Sequence, residues 1–204
     1  MTIPPEEVAR ILRSEKDATT RDLYFCAILS REAGESEAQL VVVGGSAIEI
    51  YTQGMYVSGD IDLVGNRAAL ARILKSWGFV RHNREWYSEE WKIAVDLVSD
   101  LHGLTGSQKR VRTIVTRYGP VRLAAVEDLI IKRLLSAKYW QVPTDRTHAA
   151  ILARRYQDEL DRTYLTETAI RDGVADEWHE LERRLFPDRA SVRPPKRGRR
   201  PKGV

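Results

Sequence analysis

The stretch from Val41 to Val64, VVVGGSAIEIYTQGMYVSGDIDLV, constrains the fold more than any other part of the chain. A β-branched apolar run over 40–43 predicts a fully buried strand. It stops at Gly44, Gly45 and Ser46, and a helical pattern follows to about Gln53, closed by Gly54. Ser58 and Gly59 then lead into a second predicted strand over 60–64. Side chains alternate along a strand, so Asp60 and Asp62 point to the same side. Two unpaired carboxylates on a buried strand are costly. A divalent cation between them reverses the sign, because hard cations such as Mg²⁺ take oxygen ligands. A glycine turn opening a helix offers unpaired backbone N–H groups and the positive end of the helix dipole, which suit a phosphate. Taken singly, the same residues have plainer uses. Asp60 and Asp62 also fit an edge pair facing water, Gly44 and Gly45 a tight turn, and Ser46 an N-cap.

The rest of the chain alternates strand and helix signals before turning wholly helical. Helices are expected over 5–14 and 19–33, followed by a loop at Gly34, Glu35 and Ser36. An amphipathic helix over 67–77 has Leu70, Ile73 and Leu74 inward and Gly78 at its stop. Residues 79–82 and 86–88 read as a hairpin, 93–98 as a core strand, and 112–116 with 121–124 as a second hairpin about Tyr118-Gly119-Pro120. Helices are expected over 126–139, 145–156, 161–172 and 175–185. The fold class is therefore α+β: a small mixed β-sheet flanked by helices, then a C-terminal helical bundle. By residue, 1–36 are N-terminal helices packed on a core of 37–125, 126–186 form the helical region, and 187–204 are a basic tail.

Composition limits the surroundings. Among 204 residues, 43% are hydrophobic and 30% charged, which describes a globular chain with one substantial core. No apolar run approaches the roughly 20 residues that span a bilayer, so no membrane partner is expected. The N-terminus lacks a signal-peptide core and Cys26 has no second cysteine to bond, so a reducing, cytoplasmic location is expected. The net charge of +4 divides unevenly: seven cations and Asp188 give the tail from Pro187 onward +6, leaving −2 for the remainder. Such a tail cannot fold alone. It fits a loose RNA or DNA tether working through phosphate charge and equally a solubilising terminus.

Asp96 in Lys92-Ile93-Ala94-Val95-Asp96-Leu97-Val98 is a further acid in an apolar strand pattern, and Asp100 lies at that strand's end. Glu127-Asp128-Leu129-Ile130-Ile131-Lys132 opens the helical region, where a lysine such as Lys132 usually lies on a solvated face, with Arg133 as its neighbour. His82, His102, His148 and His179 show no metal-ligand spacing. Trp86, Trp91, Tyr139 and Trp140 fit base stacking less well than they fit core positions.

Gly44-Gly45-Ser46, Asp60-x-Asp62 and Asp96 together resemble the DNA polymerase β-like nucleotidyltransferase superfamily. Glu127 to Lys132, Asp145-Arg146-Thr147-His148-Ala149 and Glu159-Leu160-Asp161-Arg162-Thr163-Tyr164-Leu165 make the chain most similar to small AbiEii-type toxins and related uncharacterised bacterial and archaeal families. The likeness covers roughly residues 40–165. It implies a metal-dependent transfer of a nucleoside monophosphate from a nucleoside triphosphate, such as ATP, to a hydroxyl. Asp60, Asp62 and Asp96 are then the catalytic and metal-binding acids, with Mg²⁺ or Mn²⁺ as cofactor. Gly44, Gly45, Ser46 and Lys132 are then the nucleotide-binding residues. The implied acceptor is RNA, as at the 3′ end of tRNA in toxin–antitoxin pairs, where a cognate antitoxin is a partner. A protein or small-molecule acceptor, and a silent nucleotide- or nucleic-acid-binding module, are the alternatives.

Overall fold

The computed structural model describes residues 3–37, 40–99 and 110–187. Among them are eight helices and seven strands in a mixed α/β arrangement. In chain order these are α1 (Pro5–Ser14), α2 (Ala18–Glu37), β1 (Val41–Val42), α3 (Gly44–Thr52), β2 (Ile61–Val64), α4 (Arg67–Ser76), β3 (Val80–His82), β4 (Glu85–Ser88) and β5 (Ile93–Ser99). There follow β6 (Val111–Thr116), β7 (Gly119–Ala124), α5 (Val126–Tyr139), α6 (Pro143–Arg155), α7 (Arg162–Arg171) and α8 (Ala175–Leu185).

One sheet orders the strands β3-β4-β5-β2-β1-β7-β6. β2 runs parallel to β5 and β1 parallel to β7, while the remaining neighbours are antiparallel. The central strands are short and apolar, and Val41, Val42, Leu63, Val95 and Leu123 are fully buried. The β2–β5 register pairs Ile61 with Val95, Asp62 with Asp96 and Leu63 with Leu97. Paired residues share a face, so this register alone sets two acids side by side.

The helices start and stop for local reasons. Pro5 opens α1 with Glu6 and Glu7 in the first turn, favourable against the dipole. Asn66 caps α4 by accepting the Ala69 N–H at 3.1 Å. α2 packs on β7 and α4, and its Phe25 is surrounded by Trp77, Phe79 and Trp91 at ring distances of 6.1, 5.7 and 6.4 Å. α5 packs on α6, α7 and α8. Lys138–Asp176 at 2.7 Å joins α5 to α8, and Arg146 grips Glu177 with two nitrogens, joining α6 to α8.

The structure departs from the sequence expectation at several boundaries. The segment at Gly34, expected as a loop, is assigned to α2, which breaks at Gly34 with φ 74° and ψ 160°, a conformation glycine adopts freely. α6 begins at Pro143 rather than 145, since proline suits a helix's first turn. α3 begins at Gly44 rather than after the glycines, and β2 begins one residue after Asp60. Asp100, His102 and the tail beyond Pro187 lie outside the described residues. No helix among the described residues is long and apolar enough to cross a membrane.

The ring cluster should dominate stability on the α2 side of the sheet. Phe25→Ala is expected to cost about 3–5 kcal/mol by urea unfolding, the range for deleting a buried aromatic. A loss below ~1 kcal/mol would contradict this packing.

Candidate functional site

The site forms where the start of α3 meets the end of the loop into β2. Gly44 has φ +57°, and a Cβ there would lie 2.1 Å from Asp62 Oδ2. Any side chain at 44 would therefore meet both backbone strain and the carboxylate itself. Gly45 donates its N–H to the same Oδ2 at 2.9 Å. A Cβ on Gly45 would press on Ser58 Oγ at 2.7 Å and Tyr56 Oη at 3.1 Å. Ser46 is not the N-cap; that position is Val43. Instead the Ser46 hydroxyl donates to the Val43 carbonyl and accepts the Asp62 N–H, each at 3.0 Å. The three residues thus hold Asp62 by its carboxylate and its backbone.

Asp60, Asp62 and Asp96 each offer a carboxylate oxygen within 4.8 Å of the other two. Asp60 and Asp62 are half-buried and Asp96 is buried. An all-oxygen donor set of this spacing fits a hard divalent cation. Burial pushes the Asp62 carboxyl up to about 6; Asp60 and Asp96 push the same way, opposed by the Gly45 N–H and by Arg133. Asp96 is met by Arg84 from the β3–β4 turn, Nε to Oδ2 3.1 Å.

α5 supplies the cations. Lys132 is half-buried, and burial lowers its pKa against the pull of Asp128 and Asp62. Arg133 is committed to the buried Asp145 at 3.0 Å, which also meets His148 Nδ1 at 3.2 Å. His148 in turn lies edge-on to Tyr56, with centroids 4.4 Å apart. In the first turn of α5, Asp128 accepts the Tyr164 hydroxyl at 2.5 Å, and Glu127 accepts the Asp161 N–H at 2.9 Å.

The structure brings Gly44, Gly45, Ser46, Asp60, Asp62 and Asp96 together and places Lys132 within the electrostatic reach of Asp62. Asp60 sits at a bend before β2, not inside the strand. Trp91 lies in the core cluster, Trp86 packs against that cluster, and Tyr139 and Trp140 are exposed. Residues missed by sequence reasoning are Arg84, Tyr56, His148 and Glu49. Glu49 is buried and accepts the Ser58 N–H at 2.6 Å and the Thr19 hydroxyl at 2.8 Å, fixing the loop that delivers Asp60. Its signal was available: one acid inside the apolar run Ala47-Ile48-Glu49-Ile50-Tyr51. No family model, curated protein or solved structure matches the chain.

The Asp62 carboxyl gives a pH test. An unfolded aspartate titrates near 4, so the folded chain binds this proton more tightly. Its contribution to stability is present below ~pH 4 and is lost as the pH rises through about 6. Asp62→Asn keeps an oxygen for the Gly45 N–H but removes the charge. In chelator, the variant should gain roughly 5–10 °C on wild type between pH 4 and pH 8, since raising a carboxyl from near 4 to about 6 is worth about 2.5–3 kcal/mol. Parallel melting curves across that range would contradict the assignment.

Proposed function

We propose that the chain is a metal-dependent nucleotidyltransferase, with a nucleotidyltransferase core followed by a C-terminal helical bundle. The observation that carries this reading is one contact: Asp62, a member of the carboxylate triad, also accepts the Gly45 N–H at the start of α3. A cation-fitting cluster and an anion-fitting helix start are thereby adjacent, as a cation-bound triphosphate requires.

Bound divalent cations supply charge neutralisation at both ends of an in-line displacement at the α-phosphate. In that reaction the acceptor hydroxyl oxygen bonds to phosphorus, the bond to the bridging oxygen breaks, and pyrophosphate leaves. Asp60 and Asp62 would hold the nucleotide-side Mg²⁺ or Mn²⁺, and Asp96 the acceptor-side one, favouring loss of the hydroxyl proton. Gly45 and Ser46, which hold Asp62, would form the wall the triphosphate lies against, and Lys132 would balance its charge. The protein contributes position and electrostatics rather than a covalent intermediate. The acceptor implied by the resemblance is RNA, at the 3′ end of tRNA, in a toxin restrained by an antitoxin.

The test is incubation of each labelled nucleoside triphosphate with total cellular RNA and protein. Label should enter the RNA fraction, require Mg²⁺ or Mn²⁺, and vanish with Asp60→Ala or Asp62→Ala. Asp96→Asn should lower turnover by about 10²-fold with little loss of nucleotide affinity, and Lys132→Ala should reduce affinity first. Label in protein alone would move the acceptor to a protein hydroxyl. Nucleotide binding with no transfer would make the chain a binding module, and full transfer by an Asp60→Ala, Asp62→Ala double variant would end the metal-site reading.

A further inference from the structure

Asp96 is the most buried of the three acids, with 6% of its side chain exposed, and one of its oxygens is already engaged by a cation of the chain itself. Arg84 stands in the tight turn between β3 and β4, where Asn83 has φ +55° and Arg81 Nε donates to the Asn83 carbonyl at 2.9 Å. The β4–β5 register places the next residue, Glu85, directly opposite Asp96. The turn therefore sits over the acid, and the Arg84 guanidinium reaches Oδ2 at 3.1 Å.

The two partners are unequal. The Arg84 side chain is 76% exposed and Asp96 is enclosed. A buried carboxylate needs a positive partner, whereas an exposed arginine loses little by turning back to water. A guanidinium and a divalent cation on the same carboxylate repel, so occupancy by one opposes occupancy by the other.

We infer that Arg84 is the internal counter-ion of Asp96, a positioning residue that the acceptor-side cation must displace. This rests on the proposed cation site. Its consequence is an order of loading: the position shared by Asp60 and Asp62 fills first, and that at Asp96 fills against Arg84.

The experiment titrates the full chain with MnCl₂ alone, counting free Mn²⁺ by its paramagnetic resonance, beside melting curves in chelator and in saturating Mn²⁺. Wild type should bind Mn²⁺ in a tighter and a weaker phase. Arg84→Ala should tighten the weaker phase about tenfold, between the few-fold effect of exposed pairs and the far larger effect of buried ones. In chelator the same variant should melt below wild type, because Asp96 loses its partner, and Mn²⁺ should close that gap. A merely structural arginine would weaken both properties together. Arg84→Gln, which keeps the stem and a donor, should fall in the same direction and serves if the alanine variant does not fold. Arg81→Ala, on the same hairpin, should leave the weaker phase unchanged. Equal Mn²⁺ affinity in wild type and both Arg84 variants overturns the role of Arg84 alone. Absence of Mn²⁺ binding in all of them overturns the cation site and the role of Arg84 with it.

Discussion

Asp62 is gripped from the first turn of α3 by contacts that leave no room for alternatives. Its Oδ2 accepts the Gly45 N–H, its own N–H goes to Ser46 Oγ, and its carbonyl accepts the Val43 N–H at 2.9 Å. Gly44 passes so close that a single added carbon would overlap the carboxylate. This junction joins β1, α3 and β2, and the β2–β5 register then brings Asp96 alongside. The cost of crowding three acids is accepted locally and offset by a hydrogen bond, by Arg84 and by the α5 cations. Such a concentration of unfavourable charge at a tightly determined backbone is the pattern expected where function, not stability, selects the residues.

Support for the junction comes from farther out. Glu49, carried on the same helix, draws the Ser58 backbone and Thr19 of α2 together. Tyr51 on that helix donates to the Ala124 carbonyl at 2.8 Å, and Tyr156 donates to the Tyr51 carbonyl at 3.1 Å. α3 is therefore tied to α2, to β7 and to the segment that follows α6. Asp60 and Asp62 stand on a short helix–loop–strand unit whose freedom is removed from three sides, as a site needing fixed geometry requires.

Much of this was legible in the sequence because the signals were local. The β-branched run at Val41 and Val42, the glycine pair and the Asp-x-Asp spacing each follow from backbone chemistry within a few residues. The pairing of Asp62 with Asp96 was only an expectation, since register is a long-range property. What escaped were contacts set by topology. Arg84 lies beside Asp96 only because β4 folds back on β5, and His148 reaches Tyr56 only because α6 packs on α3. Ser46 fits a phosphate contact or an N-cap by sequence; its hydroxyl is taken instead by the Val43 carbonyl and the Asp62 N–H. Lys132 and Arg133 looked interchangeable by position; both act on Asp62, and Arg133 is in addition tied to Asp145.

The central claim is that Asp60, Asp62 and Asp96 together form the cation-binding centre at the start of α3. A crystal grown with MnCl₂ and a non-hydrolysable nucleoside triphosphate analogue, measured for anomalous scattering at the manganese edge, tests it most directly. The account predicts a manganese peak touching carboxylate oxygens of Asp60 and Asp62, with the triphosphate against Gly45 and Ser46. Manganese bound elsewhere, or a triphosphate seated away from α3, would contradict it.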